Sequence, residues 1–272
     1  MKNKRAKDII VAPISKADAD KIVKRLHYSG KVVNNSQLHL GVFLNNMLEG
    51  AMQFGPSLDK RKLIGLVAGT AWNGFIELNR MAFSEVLPRN SESRAISIGL
   101  RLIKKHYPFI EWVISFADGT QCGDGTIYRA SGFVLTGISQ GSMWELPPDL
   151  AKINGGPVAH RMKCQDKCSL LSHELTKRCM GRTYAMEEYA HRFGGRVLPG
   201  FMLRYLYFLN SAAKERLTVP ILPFSEIERR GAGMYKGQKR QASEVGDGPD
   251  QGHSGGAAPT RTLHIHSTEI QG

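Results

Sequence analysis

Between Glu111 and Phe133 the chain reads EWVISFADGTQCGDGTIYRASGF. An apolar run from Trp112 to Ala117 ends in the carboxylate of Asp118. A glycine-rich turn follows, then a short helix carrying Tyr128 four residues ahead of Gly132 and Phe133. A short continuous apolar run bounded by turn residues predicts a strand buried on both faces, and Asp-Gly is a turn dipeptide. A buried strand that feeds a helix through a tight turn requires a sheet with helices packed over it, so the fold is α/β or α+β. The same segment sets a carboxylate at a strand end and a phenol on the next helix within reach of one cleft. Such a pair can move protons, orient an amine or hold a metal.

The rest of the chain supplies the sheet. Asp8 to Ile14 reads as a strand. Ser15 caps a helix from Lys16 to Leu26, with Asp18 at its third position and Ala19, Ile22, Val23 and Leu26 on one face. That helix ends at His27-Tyr28-Ser29-Gly30, where Gly30 suits a left-handed conformation. Leu38 to Leu44 and Leu48 to Gly55 flank Asn45-Asn46-Met47 and predict a hairpin. A loop is expected from Arg61 to Gly74. Phe75 to Phe83 alternates as a strand, with Phe75, Glu77, Asn79, Met81 and Phe83 on one face and Ile76, Leu78, Arg80 and Ala82 on the other. Ser91 caps a helix that runs to Tyr107 and stops at Pro108; Ala95, Ile98, Leu102 and Tyr107 contribute to its apolar face. Phe133 to Ile138 predicts another strand. Beyond Gly141 the pattern loosens, with one helix near Thr183 to Arg192, and strand-like runs return at Arg204 to Leu209 and Leu217 to Pro223. From about Ser243 Gly, Ser, Pro and Asp dominate and predict a disordered tail, where His264 and His266 are solvated. The expectation is an α/β (α+β) mixed central sheet flanked by helices: a core over 1–140, a basic insertion over 141–200, late strands over 201–242 that complete the core, and a tail over 243–272.

Lysine and arginine number 37 against 24 acidic residues, a formal charge of +13. This excess favours a polyanionic partner, nucleic acid above all; a surface kept basic for solubility is the plainer reading. Four cysteines in a chain this long do not make a disulfide scaffold. No apolar run reaches the ~18 residues of a membrane span, so no membrane partner is expected. The opening MKNKRAKDIIVAPIS carries only a short apolar run, broken by Pro13, unlike a secretion signal. The expected compartment is the cytoplasm.

The order of elements and the ending Tyr128-Arg-Ala-Ser-Gly132-Phe133 resemble the GNAT acyltransferase superfamily. This resemblance implies an acyl-CoA-type donor whose leaving thiolate is protonated by Tyr128. A narrower resemblance covers roughly residues 8 to 235. His27-Tyr28-Ser29-Gly30, FIELNRMAF with Arg80, LPRNSESRAIS (Leu87 to Ser97), SFAD with Asp118, IYRASGF, RYLYFL and VPILPFSEI (Val219 to Ile227) are together similar to the Mom family. That similarity implies a phage-encoded enzyme with a GNAT-like core, acting in the host cytoplasm. It would convert adenine in double-stranded DNA to an N6-carbamoylmethyl form that resists host restriction. The family's functional residues fall on His27, Tyr28, Arg80, Asp118 and Tyr128. Where GNAT enzymes carry a glycine-rich pyrophosphate loop, this chain has Arg89-Asn90-Ser91-Glu92-Ser93-Arg94, without a glycine. Free amides at a helix start, Arg89, Arg94, Ser91 and Ser93 can still hold the phosphates of a donor, with Glu92 opposing them. The same features also fit an N-acetyltransferase acting on a small-molecule or protein amine, and the charge alone fits a DNA-binding protein without catalysis.

Each candidate has an ordinary alternative. Tyr128 is either a leaving-group acid or a core tyrosine. Asp118 either orients or deprotonates an adenine amine, or caps a turn. His27 and Tyr28 either serve chemistry or finish a helix, His27 favoured there by the helix dipole. As ligands, His27, Tyr28, Asp118 and Tyr128 suit a redox iron. Arg80 joins Arg89, Ser91, Ser93 and Arg94 in holding the donor, or forms a buried ion pair with Glu77 or Glu92. A reactive adenine must leave the duplex stack, and Trp72, Tyr28 or Trp144 is placed to stack on it. Cys164, Cys168, His173 and Cys179 fit no common zinc spacing. The clusters Arg178 with Arg182, and Lys236 with Lys239 and Arg240, either meet DNA phosphates or are solvated.

Overall fold

A computed structural model of the chain describes residues 5–120, 123–141, 143–235 and 238–239. The tail expected from residue 243 and the side chains of Lys236, Lys239 and Arg240 lie outside the described residues. The main elements, in chain order, begin with β1 (Ile10–Pro13), α1 (Lys16–Leu26), β2 (Leu38–Leu44), β3 (Met47–Gly55) and α2 (Lys60–Leu63). They continue with β4 (Phe75–Phe83), α3 (Ser91–His106), β5 (Trp112–Asp118), α4 (Thr126–Ala130) and β6 (Val134–Gln140). A smaller module follows: β7 (Met143–Glu145), α5 (Pro148–Asn154), β8 (Val158–His160), α6 (Arg161–Gln165), α7 (Leu170–Arg178), α8 (Met186–Phe193) and β9 (Arg196–Val197). The chain then returns to the main sheet as β10 (Phe201–Phe208).

Local chemistry explains the first half. The Ser15 hydroxyl oxygen accepts the Asp18 amide at 3.1 Å and caps α1. Asn45 and Asn46 hold φ of 51° and 63°, two successive left-handed residues that join β2 to β3 in the twist a hairpin favours. Among the described residues the central sheet has seven strands in the order β1-β2-β3-β4-β5-β10-β6. It is mixed: β4 and β5 run parallel, while the other neighbours are antiparallel. One face packs under α3, where Ile96, Leu100 and Ile103 meet Leu40, Met52, Phe54, Val113, Leu203 and Tyr205. On the other face α1 covers Ala51 and Ala82 with Ala19, Ile22 and Val23, and Phe75, Trp112, Ile114 and Leu206 pack with Leu66 and Val67. No helix among the described residues is long and apolar enough to cross a membrane.

Several expectations change. The N-cap of α3 is Asn90, in a left-handed conformation, and Ser91 is the first helical residue. The buried stripe of α3 is Ala95, Ile96, Gly99, Leu100 and Ile103, rotated from the expected Ile98–Leu102 line, and Tyr107 lies past the helix end and is exposed. The expected loop over Arg61 to Gly74 contains α2 and a 3-10 turn at Ile64–Leu66. Leu217 to Pro223 forms no strand; Leu222 bridges Leu135 of β6 and Leu217 bridges Val67 beside the sheet, because Pro220 and Pro223 withhold ladder amides. The segment that looked irregular, 143–197, is an ordered module. Its sheet runs β8-β7-β9, and Trp144, Leu146, Leu150, Leu171, Leu175 and Tyr189 form a core of their own.

The packing of α3 makes a direct prediction. Leu100→Ala lowers unfolding free energy by roughly 2–5 kcal/mol, while Ile98→Ala costs less than about 1.5 kcal/mol, within the range of lightly packed sites. Urea denaturation of the two variants measures the order.

Candidate active site

Parallel pairing of β4 with β5 runs through Phe75–Trp112, Ile76–Val113 and Glu77–Ile114 and then stops, although the strands continue to Phe83 and Asp118. The strands diverge into a V. At its apex the Ser115 hydroxyl donates to the Leu78 carbonyl at 3.3 Å, standing in for a lost ladder bond.

On its other edge β4 is bulged. Gln53 faces Arg80 while the next residue, Phe54, faces Leu78, so Asn79 is unpaired. The bulge reverses the expected alternation. Ile76 and Leu78 lie in the core under α3, and after the bulge Met81 and Phe83 pack against that same core. Arg80 is thereby turned away from Ile76 and Leu78 onto the α1 face, beside Gln53, whose amide donates to Asp20 of α1.

That face carries a polar group. Arg80 Nε donates to the Lys31 carbonyl at 3.1 Å and a terminal nitrogen donates to the Asn79 carbonyl at 2.7 Å. Backbone oxygens therefore hold the guanidinium, rather than the expected ion pair. Glu92 sits on α3, across the sheet, and Glu77 is near enough only to feel the charge. His27 Nδ1 lies 2.8 Å from the Ser29 hydroxyl and accepts the Ser29 amide at 3.2 Å. This hydrogen bond assigns the ring proton to Nε2, leaving that atom as a donor. Burial, with the nearby Arg80 charge, holds the His27 pKa at about 4, so the ring is neutral at physiological pH. Exposed Tyr28 lies against it, ring centroids 4.2 Å apart. Asp118 is buried, and one of its oxygens accepts the Thr120 amide at 2.9 Å in a turn-cap geometry. It pairs with Met202 and shares a face of β5 with Ile114 and Phe116, the face that α1 covers elsewhere on the sheet.

Tyr128 approaches from the opposite face. Its ring packs between Phe133 and Tyr205 at 5.5 and 5.4 Å, and the Tyr205 hydroxyl donates to the Asp124 carbonyl, anchoring the turn before α4. Asp118 and Tyr128 thus flank the V from its two sides. On the Tyr128 side, Asn90, Ser93, Arg94, Ser97, Arg101 and Ala130 line a cleft of about 260 Å³ between α3 and α4. Ser93 and Arg94 from the expected donor set are there; Arg89 is exposed outside the lining and Ser91 is fully buried. Ser97 and Arg101 went unnoticed in the sequence, although Ser93, Ser97 and Arg101 recur at every fourth residue and so share one helix face.

Other expectations fall away. Trp144 is fully buried in the second core and cannot stack on a base. Trp72 is exposed, but it precedes β4 at the end opposite Asp118, roughly 20 Å away at ~3.3 Å per strand residue. Cys164 and Cys179 fill the second core, and burial pushes the Cys164 thiol up to about 11. Arg178 is bridged to Asp149 and Glu174, so its charge is spoken for. No three His, Cys, Asp or Glu side chains converge to hold a metal ion among the described residues, and the proposed iron ligands are divided between two faces of the sheet.

His27 yields a second prediction. Its depressed pKa makes a stabilisation fully present above the unfolded value of about 6.5, which is lost as pH falls toward about 4, where the folded ring finally takes a proton. A proton-NMR titration should keep the His27 ring neutral to about pH 4; a midpoint near 6.5 would contradict the burial argument.

The chain matches the model of the Mom protein family over residues 8–226. It is 36% identical over 219 residues to the methylcarbamoylase Mom of Escherichia phage Mu, covering 79% of this chain and 82% of that one. Among solved structures it is similar to an IAA acetyltransferase from Bacillus cereus (TM-score 0.38, 10% identity, 74% of this chain and 99% of that one). A second is the ribosomal-protein-S18-alanine N-acetyltransferase of Escherichia coli (TM-score 0.38, 9% identity, 74% and 94%). Matched across most of its length by both the family model and the phage relative, the chain belongs to the Mom protein family.

Proposed function

We propose that this protein is a transferase that modifies phage DNA, adding a carbamoylmethyl group to the N6 amine of adenine and so protecting that DNA from host restriction in the host cytoplasm. The observation that carries the reading is the V between β4 and β5, with a cleft bearing Arg94 and Arg101 on one side and His27, Tyr28, Arg80 and Asp118 on the side of α1. Such an opening lets a donor lie against α3 and α4 while the acceptor approaches from the other face.

A CoA-type donor suits the first side, with Ser93, Arg94, Ser97 and Arg101 taking its phosphates at the start of α3; because the product carries an N–CH2 bond, the donor in place of an acyl thioester would present the carbamoylmethyl CH2 on its sulfur, and it would supply a leaving thiolate. Tyr128 then stands beside the leaving group as its proton source. On the second side a flipped adenine stacks on Tyr28. Its exocyclic amine is a poor nucleophile because the lone pair is shared with the ring, so a carboxylate such as Asp118 that accepts an N–H assists attack. The neutral His27 donates through Nε2 to an acceptor atom of base or donor, as a neutral imidazole can. No step is assigned to iron.

Double-stranded DNA as partner is supported at the rim of the second side. Lys163, from the inserted module, lies close enough to Lys31 for the two charges to repel; burial first and then Lys31 lower its pKa. Lys163 also donates to the Asn154 carbonyl and side-chain oxygens, and this pair of neighbouring ammonium groups suits a bridging phosphate. In this reading residues 1–140 with 201–242 form the catalytic core and 141–200 a DNA-contacting insertion.

Mass spectrometry of nucleosides from DNA of expressing cells tests the reading. A deoxyadenosine heavier by one carbamoylmethyl group is expected, and lost in Asp118→Asn and Tyr128→Phe. Unmodified DNA from well-folded protein overturns it, and acetylation of a small amine instead would assign the chain to N-acetyl transfer. Lys31→Ala with Lys163→Ala should weaken binding to every DNA sequence alike and flatten the salt dependence by about one to two in log–log slope, read by fluorescence anisotropy.

A further inference from the structure

Glu77 was noticed in the sequence only as a possible partner for Arg80. The structure gives it a different position. It forms the last β4–β5 pair, opposite Ile114, and so stands at the apex of the V on the α1 face. Its other neighbour across the sheet is Gly55 of β3, next to the bulge at Asn79. No salt bridge within 4 Å is formed by Glu77 among the described residues, and Arg80 spends its hydrogen bonds on backbone carbonyls. The Ser57 hydroxyl, on a residue 5% exposed, and the Asn79 side chain turn toward the Glu77 carboxylate and favour its charged form, while the Asn79 amide oxygen is left buried without a partner. Burial raises the Glu77 pKa, and Ser57, Arg80 and Asn79 act against that rise without cancelling it. A buried acceptor such as the Asn79 amide oxygen is satisfied when a donor such as an N–H enters beside Glu77.

We infer that Glu77 is a second carboxylate facing the acceptor amine at the apex of the V, taking the N–H proton that is lost as the new N–C bond forms while Asp118 accepts the other N–H, with Ser57 and Asn79 completing the same polar subsite. The inference rests on the adenine reading above and adds a catalytic residue to it. The step balances. The adenine N6 lone pair forms the bond to the donor's electrophilic carbon, the bond from that carbon to its leaving group breaks with its electrons, the leaving group takes a proton from Tyr128, and the N6 proton passes to the Glu77 carboxylate. The groups facing Glu77 are Ser57 after β3, Asn79 and Arg80 on β4, and, through Arg80, His27 and Lys31 from the α1 end. Asp118 shares the face on the far arm of β5. His27 stays neutral above about pH 4, so a carboxylate sets the acid limb. The amine reacts when Glu77 is ionised, and the rate falls as pH drops through its raised pKa.

Glu77→Gln, nearly the same shape, tests this in full-length protein with duplex DNA and whole-cell extract as donor source. The expected result is an unchanged melting temperature, unchanged DNA affinity, a modification rate down about 100-fold or more, and loss of the acid limb of the pH–rate profile. Glu77→Asp keeps the limb at a reduced rate, and serves alone if the glutamine variant does not fold. A glutamine variant within about threefold of wild type, or one whose slower reaction keeps the acid limb, overturns the inference while leaving adenine modification intact. A wild-type protein that modifies no adenine defeats the underlying reading as well.

Discussion

Everything distinctive about this molecule depends on one interruption in hydrogen bonding: the parallel strands β4 and β5 pair for three residues and then part. A sheet interior rarely tolerates such a gap, because each parted residue leaves an amide and a carbonyl to be satisfied. Here the Ser115 hydroxyl takes over the Leu78 carbonyl at the apex. Antiparallel β10 pairs with β5 from Trp112 through Asp118, and β3 holds the other edge of β4, so both arms of the V are held in place although they no longer pair with each other. The V lies between two faces, each packed with its own hydrophobic core.

The bulge at Asn79 then decides what the opening offers. One extra residue exchanges the two faces of β4 beyond it and sends Arg80 toward His27 and Glu77 instead of into the core beneath α3. A cationic, largely polar surface forms on one side of the V, and α3 and α4 build a cleft with two arginines on the other. Tyr128 belongs to the second side because its ring is clamped between Phe133 and Tyr205. Division of roles between the faces, rather than a single cluster of five residues, is the arrangement this chain supports.

Much of the fold was legible. The Ser15 cap, the Asn45-Asn46 hairpin, the strand that ends at Asp118 and the helix stopped near Pro108 follow from residues within a few positions of one another. The second module was not legible, since its elements are short and its core joins Trp144 to Tyr189 across more than forty residues, a separation no local pattern spans. Ser97 and Arg101 follow Ser93 at helical spacing, but nothing in the residues of α3 alone shows that this face meets Ala130 across a cleft. Glu77 carried no signal at all: a strand glutamate beside an arginine reads as an ordinary ion pair.

The sequence by itself determined the kinds and order of the elements, the mixed α/β class, the basic character and the family, because caps, turns, periodicity and motif residues act over short stretches of chain. Tertiary structure alone decided which face each functional side chain occupies. That choice follows from strand register, the Asn79 bulge and the end of the β4–β5 pairing, all of which arise between segments distant in the chain. A shift of a single residue in register turns every later side chain to the opposite face, so no reading of β4 in isolation could have set Arg80 beside His27 or Glu77 at the mouth of the opening.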